Sequence, residues 1–486
     1  MSRAHHESLL LRGVRLPEGS GGVGIEAGRV LTGALGDLRV GEGRIEEIAP
    51  SIARRAGEEV LEAGGRTVIP GLHDHHLHLR ALAALGRSVP VGPADVSGIE
   101  GLTRALRDAP VDATGWIRAV GYHESVAGEL DRWVLDAMAP STPLRVQHRT
   151  GAAWIVNSAA VEALGLEASG DAGVERDAGG RATGRLVRMD RWLAATLPPD
   201  PRPPPLAAMS ARLAAFGVTG VTEATPDATE EGTAGLVEAV ADGRLLQRLH
   251  LMCPADVAVA PHPLVARGPM KVMLDDDRLP ALDELAVAVG RAHERGVASA
   301  FHCVTALQLA FALAVLDAAG SHPGDRIEHA AVVPPGMISR LASSGLTVVV
   351  NPGLLYERGD AYLDEVERRE LPDLLRAESL RAAGVRLAAG TDAPFGDDDP
   401  WRSVASAGRR RTQLGQEIGP GEALGETIAL GLFLGEAARP ARNRRIAVGA
   451  PGDLCVLDGD ALPVPAGPGG PVAATVVAGR VVHRLV

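Results

Sequence analysis

Through the middle of the chain, short β-branched apolar runs that end in polar residues alternate with Ala- and Leu-rich stretches whose apolar positions recur at helical spacing. This alternation predicts strands at 68–79, 219–223, 248–253, 270–274, 298–302, 326–329, 346–351 and 386–392, with helices between most of them, for example at 282–294, 306–318 and 371–383. Eight strand–helix units in series predict an α/β fold, a (β/α)8 TIM barrel, with its chemistry at the C-terminal ends of the strands.

The two ends of the chain follow a different pattern. Residues 8–16, 36–40 and 44–48 read as strands separated by Gly-rich turns such as 19–24, too few to close a sandwich. Residues 452–457 and 474–483, the latter with a turn at Ala478 and Gly479, supply the missing strands, joined by a Pro/Gly-rich loop at 463–471. The expectation is one small β-sandwich built from residues 1–66 and 439–486 around a barrel at 67–438. The stretch 80–218 exceeds what the barrel needs and includes the proline-rich linker 197–205. Most of it, about 116–205, reads as an inserted lobe over the barrel mouth, where so long an insertion shapes a substrate pocket.

Charge and composition narrow the chemistry. The net charge is −12 with scattered basic residues, which excludes nucleic-acid and anionic-membrane partners. Three distant cysteines without a CxxC pair, and no adequate apolar leader or bilayer-length apolar run, predict a cytoplasmic protein. A small-molecule substrate is expected, and a homodimer is compatible with this reading.

Polar residues crowd the predicted strand ends. In the opening strand Asp74, His76 and His78 share one face, while His73 and His75 point the other way. Glu223, Lys271, His302, His329, Asn351 and Asp392 stand at or near the ends of later strands. Strand ends at one barrel mouth converge in space, so four imidazoles, a lysine and an aspartate surround one cavity. Imidazole nitrogen and carboxylate oxygen are the donors that zinc and similar divalent ions favour.

These stretches, PGLHDHHLH at 70–78, MKVMLD at 270–275, FH at 301–302, RIEH at 326–329 and GTDAP at 390–394, resemble the strand-end motifs of the amidohydrolase superfamily. The likeness extends to 151–160, 217–221 and 452–454, and is closest to the metal-dependent branch with a large insertion after the first strand, the amidohydrolase 3 or YtcJ-like group. The resemblance implies one ion on His76, His78 and Asp392, a second on His302 and His329, and a carboxylated Lys271 bridging them; zinc is the expected metal, as one or two ions. It implies hydrolysis of a non-peptide carbon–nitrogen bond, in an amide or an N-acyl or formamide group, by metal-activated water with Asp392 as general base and then acid. A deaminase or other hydrolase on the same scaffold, and a non-catalytic scaffold protein, are the alternatives. The sequence departs from the pattern at Ala152, where a His is frequent, and at Asp276, where Gly is usual. His123, Arg149, Asn157, Glu223, Tyr356 and Arg358 are the candidate substrate contacts.

Overall fold

The computed structural model describes residues 8–17, 25–26, 29–30, 32–139, 141–198, 205–226, 228–459 and 470–485. The glycine run 19–24, and most of the linker 197–205 and of the loop 463–471, lie outside the described residues. The chain divides into two compact units, Met1–Leu79 with Leu206–Val486, and Arg80–Pro205.

The first unit holds the barrel strands, numbered here β1 (Leu72–Leu77), β2 (Val218–Glu223), β3 (Arg248–Leu251), β4 (Met270–Val272), β5 (Ser299–Cys303), β6 (Arg326–His329), β7 (Thr347–Val350) and β8 (Arg386–Ala389). β1 to β3 pair in parallel, as do β4 to β8. Between the two sets, Val265–Arg267 pairs with β3 and leads across Gly268 and Pro269 into β4. Pro269 has no N–H to give to a ladder, so one strand serves one neighbour before the break and the other after it. Past the end of β8, Asp392 N donates to the His76 carbonyl and His78 N donates to the Ala393 carbonyl, both at 2.8 Å. That tie brings the two ends of the parallel series together in a TIM barrel.

Helices Leu282–Glu294 and Ala306–Ala319 lie where the apolar spacing predicts them, the second capped by the Thr305 side chain accepting from Gln308 N. The predicted helix 371–383 is instead a 3-10 turn, Leu371–Asp373, followed by the short helix Ala377–Ala382. Leu375 between them has φ +52°, outside the right-handed helical region, and it separates the two pieces.

The opening strand also differs from expectation. It is two strands: Thr67–Pro70 pairs with Leu454–Leu457, and only β1 belongs to the barrel. The break falls at Pro70 and Gly71, where a Cβ on Gly71 would meet the Thr219 side chain at 2.1 Å. The outer sheet runs Arg480–Arg484, Val472–Val477, Leu454–Leu457, Thr67–Pro70, Ser8–Pro17, Thr32–Gly41, Arg44–Ala49, with Glu59–Glu62 beside Ser8–Pro17. Strands from both ends of the chain thus share one sheet, and Leu9, Leu11, Leu38, Val68, Leu454 and Val476 share one core. Arg439–Asn443 stands apart from it, in a local hairpin with Gly435–Glu436. One ion pair is buried in this region: Arg39 Nε donates to Glu58 Oε1 at 2.7 Å, with Ser8 Oγ and Arg55 N also donating to Glu58.

The second unit begins at Arg80 rather than near residue 116. Val89–Pro90 pairs with Ile117–Tyr122, and Leu102 and Leu106 join the core of Tyr122, Leu135 and Val146. Its sheet runs Val174–Arg176, Ala182–Val187, Ala153–Val156, Leu144–His148, Ile117–Tyr122, Val89–Pro90. Among the described residues no helix is long and apolar enough to cross a membrane.

Candidate metal centre

β1 presents its polar residues to different partners, with breaks in its register against β2 on either side of His73–Asp74. His73 meets Thr222 Oγ1 on β2 at 2.9 Å, whereas Asp74 bonds Thr391 just past β8 and the His76 side chain meets Glu328 on β6. Asp74 accepts from His76 N at 3.0 Å and from Thr391 N and Oγ1 at 3.1 and 2.5 Å. These bonds lock the end of β8 against the histidine strand. Gly390 permits the approach, since a Cβ there would lie 2.5 Å from the backbone N and the Cβ of His76.

His76, His78 and Asp392 converge. Asp392 Oδ1 stands 3.5 Å from His76 Nε2 and 3.3 Å from His78 Nε2, buried and accepting no hydrogen bond. A buried carboxylate oxygen without a donor costs free energy unless something else satisfies it. Two imidazole nitrogens and one such oxygen within 4.8 Å of one another fit a divalent cation. Asp392 reaches this place from a left-handed backbone, φ +59°, and His329 from φ +69°, a conformation that non-glycine residues adopt at a cost of about 1 kcal/mol or more.

The remaining candidates from β4, β5 and β6 stand alongside. Lys271 Nζ is 3.3 Å from His76 Nε2. The His302 and His329 ring centroids are 4.6 Å apart, and those of His329 and His76 4.8 Å apart. His329 Nδ1 is fixed by Asn351 Oδ1 at 2.8 Å, and Asn351 in turn donates to the Gly390 carbonyl.

Electrostatics suit ligation. Burial, with the Lys271 ammonium adding to it, drops His76 to about 3, and burial likewise lowers His302 and His329, so these imidazoles are neutral near pH 7. Burial alone would raise Asp392, but the His78 contact reverses this and holds it below the usual carboxylate range. Lys271 falls to about 8 because burial outweighs the pull of Glu328 and Asp392.

Sequence reasoning overlooked Glu328. Its fully buried carboxylate meets His76 Nδ1 and is clamped by Arg326, whose Nη2 donates to Glu328 Oε2 at 2.9 Å and to the His75 carbonyl at 2.6 Å. The available signal was the Arg326–Glu328 spacing on β6, which places an ion pair on one face of a buried strand.

Several candidate substrate contacts serve the scaffold. Glu223 accepts from Leu79 N at 2.6 Å and Thr225 N at 2.9 Å, tying β2 to the end of β1. Asn157 is buried and spends its amide on Ala139 O, Thr142 O, Leu144 N and Ala160 N, all within the second unit. Arg149, partly exposed in the same unit, donates its backbone N–H to the Tyr122 carbonyl. His123 precedes the short helix Glu124–Ala127, and its side chain accepts from Ser125 N. In the first unit, Tyr356 is exposed, and Arg358 donates to the carbonyl of Phe395 at 2.6 Å. Phe395 packs edge-on against His78.

Comparison with known proteins identifies the family. The model of the amidohydrolase family matches residues 59–483. The N-substituted formamide deformylase of Arthrobacter pascens is 28% identical over 468 residues, covering 83% of this chain and 85% of its own. Among solved structures, uncharacterized metal-dependent hydrolases of Pyrococcus horikoshii and Pyrococcus furiosus superpose with TM-scores of 0.72 and 0.70 at 19% and 18% identity. They cover 94% and 93% of this chain and 98% and 99% of their own. With the match spanning most of its length, the chain belongs to the amidohydrolase family, enzymes that hydrolyse carbon–nitrogen bonds.

Proposed function

We propose that this enzyme hydrolyses the amide bond of an N-substituted formamide or related N-acyl small molecule, releasing a carboxylate and an amine. The observation that carries the reading is the meeting of His76, His78 and the unsatisfied Asp392 Oδ1 at the end of β8. These three residues would hold one divalent ion, zinc by donor type, and His302 and His329 a second, with a carboxylated Lys271 between them. A divalent ion bound here supplies Lewis acidity, lowering the pKa of water and polarising a carbonyl oxygen.

The chain's own groups do the rest. An amine held near 8 keeps an appreciable neutral fraction at physiological pH, the form that adds carbon dioxide. Asp392, ionised and buried, takes the proton of the attacking water and returns it to the leaving nitrogen as the carbon–nitrogen bond breaks. Asn351 and Glu328 orient His329 and His76 from behind. The similarity to a formamide deformylase supports the acyl group. Met273 and Val304, exposed just beyond β4 and β5, and Tyr356 beyond β7 give that end of the barrel apolar surface, which suits an apolar substituent on nitrogen. Free, buried cysteines support a reducing, cytoplasmic setting.

The test is a panel of N-alkyl and N-aryl formamides, N-acetyl amines and amino-heterocycles. Formate and amine released in equal amounts are expected from the formamides. Ammonia from the heterocycles with no turnover of any acyl amine would replace this reading with a deaminase.

A further inference from the structure

The inserted unit holds a second group of metal donors, none of them among the barrel-strand residues described above. His123 directly follows the strand Ile117–Tyr122, His148 ends the neighbouring parallel strand Leu144–His148, and Glu124 opens the helix after His123. Parallel pairing sets Tyr122 beside His148, so both imidazoles emerge at the same end of the sheet. Their ring centroids are 5.9 Å apart. Glu124 Oε2 lies 3.0 Å from His148 Nε2 and 3.8 Å from His123 Nε2. Donors around a tetrahedral zinc, each about 2.0–2.2 Å from the ion, stand roughly 3.3 Å apart, so these spacings bracket the required edge.

The opposite side of each ring is prepared in the same way. His123 Nδ1 is 2.8 Å from Ser125 Oγ, and His148 Nδ1 is 2.7 Å from Thr150 Oγ1, each hydroxyl two residues downstream. Each Nδ1 also accepts from a backbone N–H, Ser125 N at 3.2 Å and Thr150 N at 3.3 Å, so both rings are anchored at Nδ1 and turn Nε2 toward Glu124, where ligation requires loss of the Nε2 proton. The His123 and His148 side chains are 13% and 15% exposed and Glu124 33%, so a hydrated ion can reach the donors.

We propose that His123, Glu124 and His148 form a divalent metal site of the inserted unit, a two-histidine, one-glutamate set of the zinc type with its remaining position open to water. The site would add an ion-mediated tie at the ends of two strands that already pair and share a core.

Full-length protein, stripped of metal and equilibrated by dialysis against micromolar zinc, should hold one ion more per chain than His148→Gln or His123→Gln treated alike. The wild type with cobalt in place of zinc should carry visible absorption that loses the same one equivalent in either variant. Zinc-equilibrated wild-type crystals should give an anomalous peak among the three side chains, a readout that does not depend on the variants folding. Equal ion counts in all three proteins, or no peak between His123 and His148 in the wild type, would establish an ion-free His148–Glu124 hydrogen bond and overturn the proposal.

Discussion

Glu328 is the residue whose role reaches furthest beyond its size. Its carboxylate accepts from His76 Nδ1 and so turns Nε2 toward Asp392, and Arg326 keeps it ionised, lowering its pKa against the opposing effect of burial. Replacing it by Gln preserves shape but removes the charge that makes the imidazole a better donor. Metal affinity, read by competition with a coloured chelator, should fall about 10- to 100-fold in Glu328→Gln, with circular dichroism unchanged. An unaltered affinity would reduce Glu328 to a packing group. His76, His78, His302, His329 and Asp392 were legible because strand alternation and motif order give their positions directly. Glu328 was not, because a buried acid on a strand has meaning only once the residue it faces is known. The roles of Asn157 and Glu223 were hidden for the converse reason: polar side chains that cap backbone groups look, in a sequence, like residues waiting for a ligand.

Two points in the fold are sensitive to a single substitution. Gly390→Ala would drive a methyl group into the backbone of His76, at 2.5 Å, where no flexible side chain can yield. Loss of roughly 2–4 kcal/mol in urea unfolding, together with loss of bound metal, is expected. In the outer sheet the Arg39–Glu58 pair is buried, and Glu58→Ala leaves Arg39 short of its partner, at a cost of about 3 kcal/mol. The pH dependence has a definite sign. Burial raises the Glu58 carboxyl, but Arg39, Arg55 N and Ser8 more than reverse it and hold it at about 2 against an ordinary 4.5. A depressed acid contributes its stability fully above pH 4.5 and loses it as pH falls toward 2, so the wild-type advantage over Glu58→Ala should shrink across that window. The split of the opening strand was not visible in its apolar pattern, because Pro70 and Gly71 interrupt a run whose hydrophobicity continues on both sides.

For the whole molecule, the barrel series and the sharing of one sheet by both ends follow from where apolar runs recur along the chain. The start of the second unit at Arg80 does not, because Val89–Pro90 is too short to register as a strand until its neighbour Ile117–Tyr122 is in place. Metal should bind the folded barrel centre far more tightly than the unfolded chain. Chelator-stripped protein is therefore expected to lose hydrolysis and to melt several degrees lower, and added zinc should restore both. Activity that survives complete removal of metal would contradict the proposed chemistry.

The strand Thr67–Pro70 lies against Leu454–Leu457, and one residue beyond it begins β1, with His76 and His78. During synthesis the histidine strand leaves the ribosome long before the segment that flanks its leading edge. The centre is therefore expected to take its final form only late in translation, with the proposed metal loaded after that point. A ribosome stalled before residue 454 should present a nascent chain with every candidate ligand already made and little capacity to retain zinc.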